Sequence, residues 1–279
     1  MIAAPATVSV PRAGSRRVWI GLLIAVVGIG SVFYAPAFAL LVEAVAIGCL
    51  WELGKLAESK GVGLEFTVAA LASTAYIALT FFGIIGRYEG DLLSVTVVAA
   101  LATATFLERG HQLMRSAFTL LGVLYIGKLI SYFVAIRDLP GTGTALTVMA
   151  ILVIAMTDIA AMAVGTTLGR TPLTPLSPRK TVEGALGGLV VASLVGAVCT
   201  LFVHWPWWEG LIVGAVTSFA AQAGDVIESA FKRDAKVKDA GSAIAGHGGV
   251  LDRFDSYLFG GIAFYCSLFV FHVTPSALP

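Results

Sequence analysis

Charge is scarce in this sequence. Asp, Glu, Lys and Arg make up 13% of its 279 residues, hydrophobic residues make up 58%, and mean hydropathy is +0.91. A soluble domain is about a quarter charged and about half apolar, so an ordinary soluble globule is excluded. Cysteine is scarce as well. Cys49, Cys199 and Cys266 all sit in apolar runs without CxxC spacing. That argues against a disulfide framework or a zinc site and predicts small buried hydrophobes instead. Net charge is +1, so bulk charge says nothing about partners, whereas the distribution of charge does. A polar stretch long enough for a soluble domain, a low-complexity segment and a clear internal repeat are also missing.

What the sequence has is long apolar runs. About 20 apolar residues cross the ~30 Å hydrocarbon core as a helix, and backbone groups in lipid must pair within their own segment. The expectation is an all-α, polytopic membrane protein with about nine transmembrane helices. The spans fall near 18–34, 36–53, 64–86, 91–107, 116–136, 143–165, 184–203, 209–230 and 257–274. Arg16 and Arg17 before an apolar stretch, with Ala37-Phe38-Ala39 after it, imitate a cleavable signal. The stretch Val18–Phe33 is long for a signal core, and a retained first span is expected. Asp138-Leu139-Pro140-Gly141 is a turn signal, and His204-Trp205-Pro206-Trp207-Trp208 reads as an interfacial aromatic hairpin.

Orientation follows from the cations. With the N-terminus in the cytoplasm, the cytoplasmic segments hold Arg12, Arg16, Arg17, Lys55, Lys60, Arg109, Arg115, Arg170, Arg179, Lys180, Lys232, Arg233, Lys236, Lys238 and Arg253. The other side holds Arg87 and Arg137, and Lys128 lies within the fifth span. So steep a bias fits the positive-inside rule and puts the C-terminus outside. The chain then divides into a cytoplasmic segment 1–17, transmembrane helices over 18–142, and a C-terminal transmembrane region 143–279 with cytoplasmic loops 166–183 and 231–256, where any water-soluble chemistry is expected.

The remaining charges collect near those loops. Asp158 is late in the sixth span, Asp225 and Glu228 are late in the eighth, and Asp252 and Asp255 open the ninth. Spacings of three put Asp225 and Glu228 on one helix face, and Asp252 and Asp255 likewise if that segment is helical. Carboxylates at one depth suit a hard divalent cation such as Mg²⁺. Helix-end ion pairs are the plainer alternative, and for Glu228, Asp234 and Asp239 the two readings stay balanced. Lys232, Arg233, Lys236 and Lys238 follow, then Gly246-His247-Gly248-Gly249. Glycines let backbone N–H groups approach and cradle phosphate oxygens. In the other loop, Thr181 is a candidate helix cap. Arg179 and Lys180 beside that helix start make an anion site as plausible as a mere topology signal. Glu43 and Lys128, some distance from the ends of their spans, are expected to pair, the alternative being that they line a lipid-entry cavity.

The stretch from Ser229 through Lys232-Arg233, Lys238-Asp239, Gly246-His247-Gly248-Gly249 and Asp252-Arg253-Phe254-Asp255 resembles the signature of the phosphatidate cytidylyltransferases. The block from Asp158 through Gly165, Gly169-Arg170 and Ser177-Pro178-Arg179-Lys180-Thr181-Val182-Glu183-Gly184 resembles that family's upstream motif. Together they cover about a quarter of the chain. Ala245 stands where Pro is usual, Val182 where Trp is common, Met162 where an aromatic is frequent and Arg179 where Lys is usual. No ionisable group of the signature is lost.

The resemblance implies an enzyme that transfers CMP from CTP to phosphatidic acid, giving CDP-diacylglycerol and pyrophosphate. It implies a multi-pass protein of the inner (plasma) membrane, active at the cytoplasmic face, with room for a homodimer and no nucleic-acid partner. It implies Mg²⁺, with a second cation left open, held by Asp225 and Asp252 and completed by Asp255. Lys232 and His247 join these as catalytic groups. Asp158, Arg179, Lys180, Ser229, Arg233, Lys236, Lys238, Asp239, Gly246, Gly248, Gly249 and Arg253 would bind substrate. Competing readings are a cytidylyltransferase for another lipid phosphate of ether-lipid type, a CTP-dependent lipid kinase, and a membrane transporter or channel.

Overall fold

The computed structural model describes residues 26–106, 110–237, 241 and 249–271. A helical stretch over 26–32 leads into α1 (Ala35–Ser59), where Pro36 sits in the first turn, the position at which its missing N–H costs nothing. Then follow α2 (Phe66–Phe81), α3 (Ile85–Phe106), α4 (Gln112–Arg137, with a π-helical stretch Gly122–Lys128), α5 (Gly143–Leu168), α6 (Val182–Val203), α7 (Trp207–Asp234) and α8 (Leu251–Phe271). Among the described residues the only β pairing is an isolated bridge between Pro172 and Thr181.

All of these helices except α2 are long and apolar enough to cross a membrane, seven in number. At 1.5 Å per residue, the 16 residues of α2 reach only about 24 Å. The outer surface has the character of a lipid-facing one. Leu186, Val190, Leu194, Val198 and Leu201 form an exposed stripe down α6, which water would not tolerate at that length. The opposite face of α6 is nearly bare of side chains: Gly184, Gly188, Ala192 and Gly196 recur every four residues. A Cβ at Gly188 would meet the Thr157 carbonyl of α5, and one at Gly196 would meet the Gly210 carbonyl of α7. Small residues at this spacing let membrane helices touch backbone to backbone.

The helix α4 forms the centre of the fold. Val123, Ile126, Ile130 and Phe133 are buried, and Tyr125 packs edge-on against Phe231 of α7 at 5.7 Å. The four helices α5 to α8 run antiparallel in succession. The end of α5, the start of α6, the end of α7 and the start of α8 therefore meet at one end of the bundle.

Several expected boundaries move. The third span was expected over 64–86, but α2 ends at Phe81, and Gly83, at φ 69°, turns the chain before α3 starts at Ile85. Arg87 and Glu89 are thereby inside a helix, which becomes affordable because Glu89 pairs with Lys128. That ion pair corrects the expectation of Glu43 with Lys128. Glu43 instead accepts the Thr74 hydroxyl at 2.6 Å. Cys49 and Cys199 are buried as expected, whereas Cys266 is exposed on α8. The aromatic hairpin is a real turn: His204 ends α6 at φ 58°, and Pro206 precedes the first turn of α7.

Candidate active site

The connection between α5 and α6 is folded, not a slack loop. Leu173 N–H donates to the Lys180 carbonyl at 2.8 Å, and Val182 N–H donates to the Thr171 carbonyl at 2.9 Å. Glu183, in the first turn of α6, accepts the backbone N–H groups of Arg170 at 3.1 Å and Thr171 at 3.2 Å. The Thr181 hydroxyl caps α6 by accepting the Gly184 N–H at 3.1 Å, as expected from the sequence. These bonds hold Arg179 and Lys180 at the rim of a cavity of about 500 Å³. Asp158, Gly165, Gln222, Asp225, Asp252, Arg253, Asp255 and Ser256 line its other sides.

The helix periodicity of α7 and α8 brings acids and bases together beside that cavity. Asp225, Glu228 and Asp255 bring one carboxylate oxygen each to within 4.8 Å of the others. Glu228 is fully buried and Asp255 is 5% exposed. Lys180 pairs with Asp225, and Lys232 bridges Glu228 and Asp252, the latter at 2.6 Å. Asp252 also accepts the Gly249 N–H at 2.9 Å. Asp255 accepts the Ser256 N–H at 2.6 Å and makes no ion pair among the described residues. Asp158 takes the Ser256 hydroxyl at 3.4 Å, which ties α5 to α8.

The tightest carboxylate trio thus holds Glu228 where the expected trio held Asp252. Asp252 stands one step aside, against Lys232. The donor set is all oxygen, with carboxylates only, and fits a hard divalent cation such as Mg²⁺ far better than a soft metal. Of the other expected residues, Arg233 is exposed and donates to the Leu176 carbonyl at 3.3 Å. Ser229 is half-buried on α7 outside the cavity lining, and Lys236 is exposed in the left-handed region at φ 57°. Lys238, Asp239, Gly246, His247 and Gly248 lie outside the described residues, as does Ala245. Sequence reasoning passed over Gln222 and Ser256. Neutral residues in apolar helices give no signal until a neighbour is known. It also passed over Glu52 of α1, whose carboxylate reaches the start of α8.

A cytidylyltransferase family model matches residues 14–271 of the chain. The phosphatidate cytidylyltransferase of Bacillus subtilis is 33% identical over 88% of this chain and 93% of its own length. A chloroplastic phosphatidate cytidylyltransferase of Arabidopsis thaliana is 32% identical over 90% of this chain and 70% of its own. The phosphatidate cytidylyltransferase of Synechocystis is 40% identical over 50% of this chain and 58% of its own. With a family match over nearly its whole length and described residues of both motif blocks lining one cavity, the chain belongs to the cytidylyltransferase family.

Proposed function

We propose that this protein is a phosphatidate cytidylyltransferase, joining CTP and phosphatidic acid into CDP-diacylglycerol with release of pyrophosphate. The observation that carries the reading is the meeting of Asp158, Asp225, Asp252 and Asp255 with Arg179 and Lys180 around a cavity at one end of a membrane helix bundle, with Glu228 and Lys232 paired behind its wall. Relatives of this family over most of the chain bear that enzyme's name.

In the reaction an oxygen of the lipid phosphate bonds to the α-phosphorus of CTP. The bond from that phosphorus to the oxygen bridging to the β-phosphate breaks, and pyrophosphate leaves with the electron pair. Both substrates are polyanions, so the work of the protein is to position them and to offset their charge. Arg179 and Lys180, fixed by the folded α5–α6 connection, are suited to the triphosphate. Lys232, tied to Glu228 and Asp252, is suited to an oxygen that gains charge as the bonds exchange. Arg253 at the rim and Arg233, with Lys236, Lys238 and the Gly246-His247-Gly248-Gly249 segment, complete the anion-binding groups. Asp225, Glu228 and Asp255, with Asp252 beside them, would hold Mg²⁺. When bound, that ion neutralises phosphate charge and orients the leaving group.

We place the site at the cytoplasmic face of the inner (plasma) membrane, with residues 143–279 as the catalytic region. The charged groups of the cavity sit at one end of the bundle and form no path across it, which favours an enzyme over a transporter. The test is an assay of purified protein in detergent with CTP, phosphatidic acid and Mg²⁺. Expected products are CDP-diacylglycerol and pyrophosphate in equal amounts. Release of CDP instead would establish a kinase, and selective use of an ether-lipid phosphate would redirect the substrate.

A further inference from the structure

The N-terminal half reaches the site through Glu52, about two turns before the end of α1. Its side chain is fully buried. Oε2 accepts the backbone N–H of Leu251, the first residue of α8, at 2.8 Å. Oε1 is shielded from solvent and has no hydrogen-bond partner among the described residues. The carboxylate also lies against two glycines of the connection from α7 to α8. A Cβ built on Gly241 would overlap Oε1, and one built on Gly249 would overlap Oε2. Beside it, a Cβ on Gly48 of α1 would press on Val250 at 3.2 Å.

A carboxylate inside an apolar bundle is costly unless something compensates it. Here the compensation is the start of a helix, whose free N–H groups and partial positive charge favour an anion. A hydrophobic side chain of similar volume would fill the same space without that acceptor, so packing alone does not account for glutamate. The neighbouring bonds show what the anchor controls. Gly249 N–H goes to Asp252, and Leu251 N–H goes to Glu52. Asp252 is the next residue, and Asp255 follows within one turn. Any shift of Leu251 carries both carboxylates with it.

We propose that Glu52 is a positioning residue for cytidylyl transfer. Its carboxylate packs against Gly241 and Gly249 and holds the start of α8 through the Leu251 N–H, so that Asp252 and Asp255 face Lys232, Asp225 and Glu228. The kinetic part rests on the function proposed above.

The test uses the full-length protein in detergent with Glu52→Ala, Glu52→Gln, Gly241→Ala and the double variant Glu52→Ala/Gly241→Ala. Hydrogen–deuterium exchange reads the anchor directly. Glu52→Ala is expected to speed exchange at the start of α8 and to leave α5 and α6 unchanged. No change at α8, or uniform acceleration in every helix, overturns the proposal. In kinetics, Glu52→Ala and Gly241→Ala each lower kcat at least tenfold. The double variant is no slower than Glu52→Ala, because the added methyl then meets no carboxylate. A double loss equal to the product of the single losses overturns the contact. Glu52→Gln keeps an acceptor for Leu251 and is expected to be at least threefold faster than Glu52→Ala; equal rates overturn the role of the acceptor. If the unsubstituted protein forms no CDP-diacylglycerol, the kinetic arm falls with the functional reading, while exchange still decides the anchor.

Discussion

Lys232 is the residue on which the acidic site depends most. It is 15% exposed and serves two carboxylates, one of them, Glu228, without any solvent contact. Removing one partner of a buried pair strands the other charge, at a cost of about 3–5 kcal/mol. Lys232→Met is therefore expected to lower the melting temperature in detergent far more than Arg233→Met, whose parent side chain is exposed. Equal shifts would show that Lys232 is not the internal counter-charge. The acids themselves make a different prediction. Asp225→Asn and Asp255→Asn keep shape and remove charge, so CMP transfer is expected to fall by about 100-fold or more while the protein stays folded. Near-normal rates in folded protein would remove the metal assignment. At this scale the sequence was legible for Asp225, Asp252 and Asp255, because their spacing within predicted helices is itself geometric. It was not legible for Glu228 as against Asp252. Both acids pair with Lys232, and which of them joins Asp225 and Asp255 depends on how α7 and α8 are rotated about their axes.

Among the elements, the α5–α6 connection is the clearest case of local sequence chemistry realised as expected. Thr181 was a candidate cap by type and place, and its hydroxyl accepts the Gly184 N–H. Thr181→Ala is expected to cost about 1 kcal/mol, and Thr181→Ser to restore most of it. The capping bond also fixes the neighbour Lys180, so the alanine variant should raise the KM for CTP more than it lowers kcat. An unchanged KM would separate the cap from the anion site. The expected third and fourth spans fared less well. The run Gly86-Arg87-Tyr88-Glu89-Gly90-Asp91 has the composition of a loop, and it lies within α3. The Glu89 pairing with Lys128 offsets the charge that made a loop the natural reading. A partner 39 residues away is invisible to any local window.

Over the whole molecule, the motif blocks converge because α5 to α8 alternate in direction. That alternation leaves one end of the bundle rich in charge. Sidedness yields a direct prediction. In a protein whose own cysteines are replaced, Ser177→Cys should resist a membrane-impermeant maleimide applied outside intact cells, while Thr142→Cys should react. Labelling of Ser177→Cys from outside would reverse the proposed orientation. The two probes lie in the connections at opposite ends of α5, so one experiment reads both faces.

Composition and spacing by themselves determined the membrane setting, the helical class, the carboxylates Asp158, Asp225, Asp252 and Asp255 that gather with Arg179 and Lys180, and the cap at Thr181. These rest on local quantities: the length of an apolar run, a period of three or four residues, the preference of a hydroxyl for a helix start. Only the tertiary structure decided that Lys128 pairs with Glu89, that Glu228 joins Asp225 and Asp255, and that Glu52 reaches across from the first half of the chain to the start of α8. Each of those depends on which helix faces touch. Electrostatic and steric contact in a packed bundle is set by helix rotation and crossing, and neither is written in the sequence near the residues concerned.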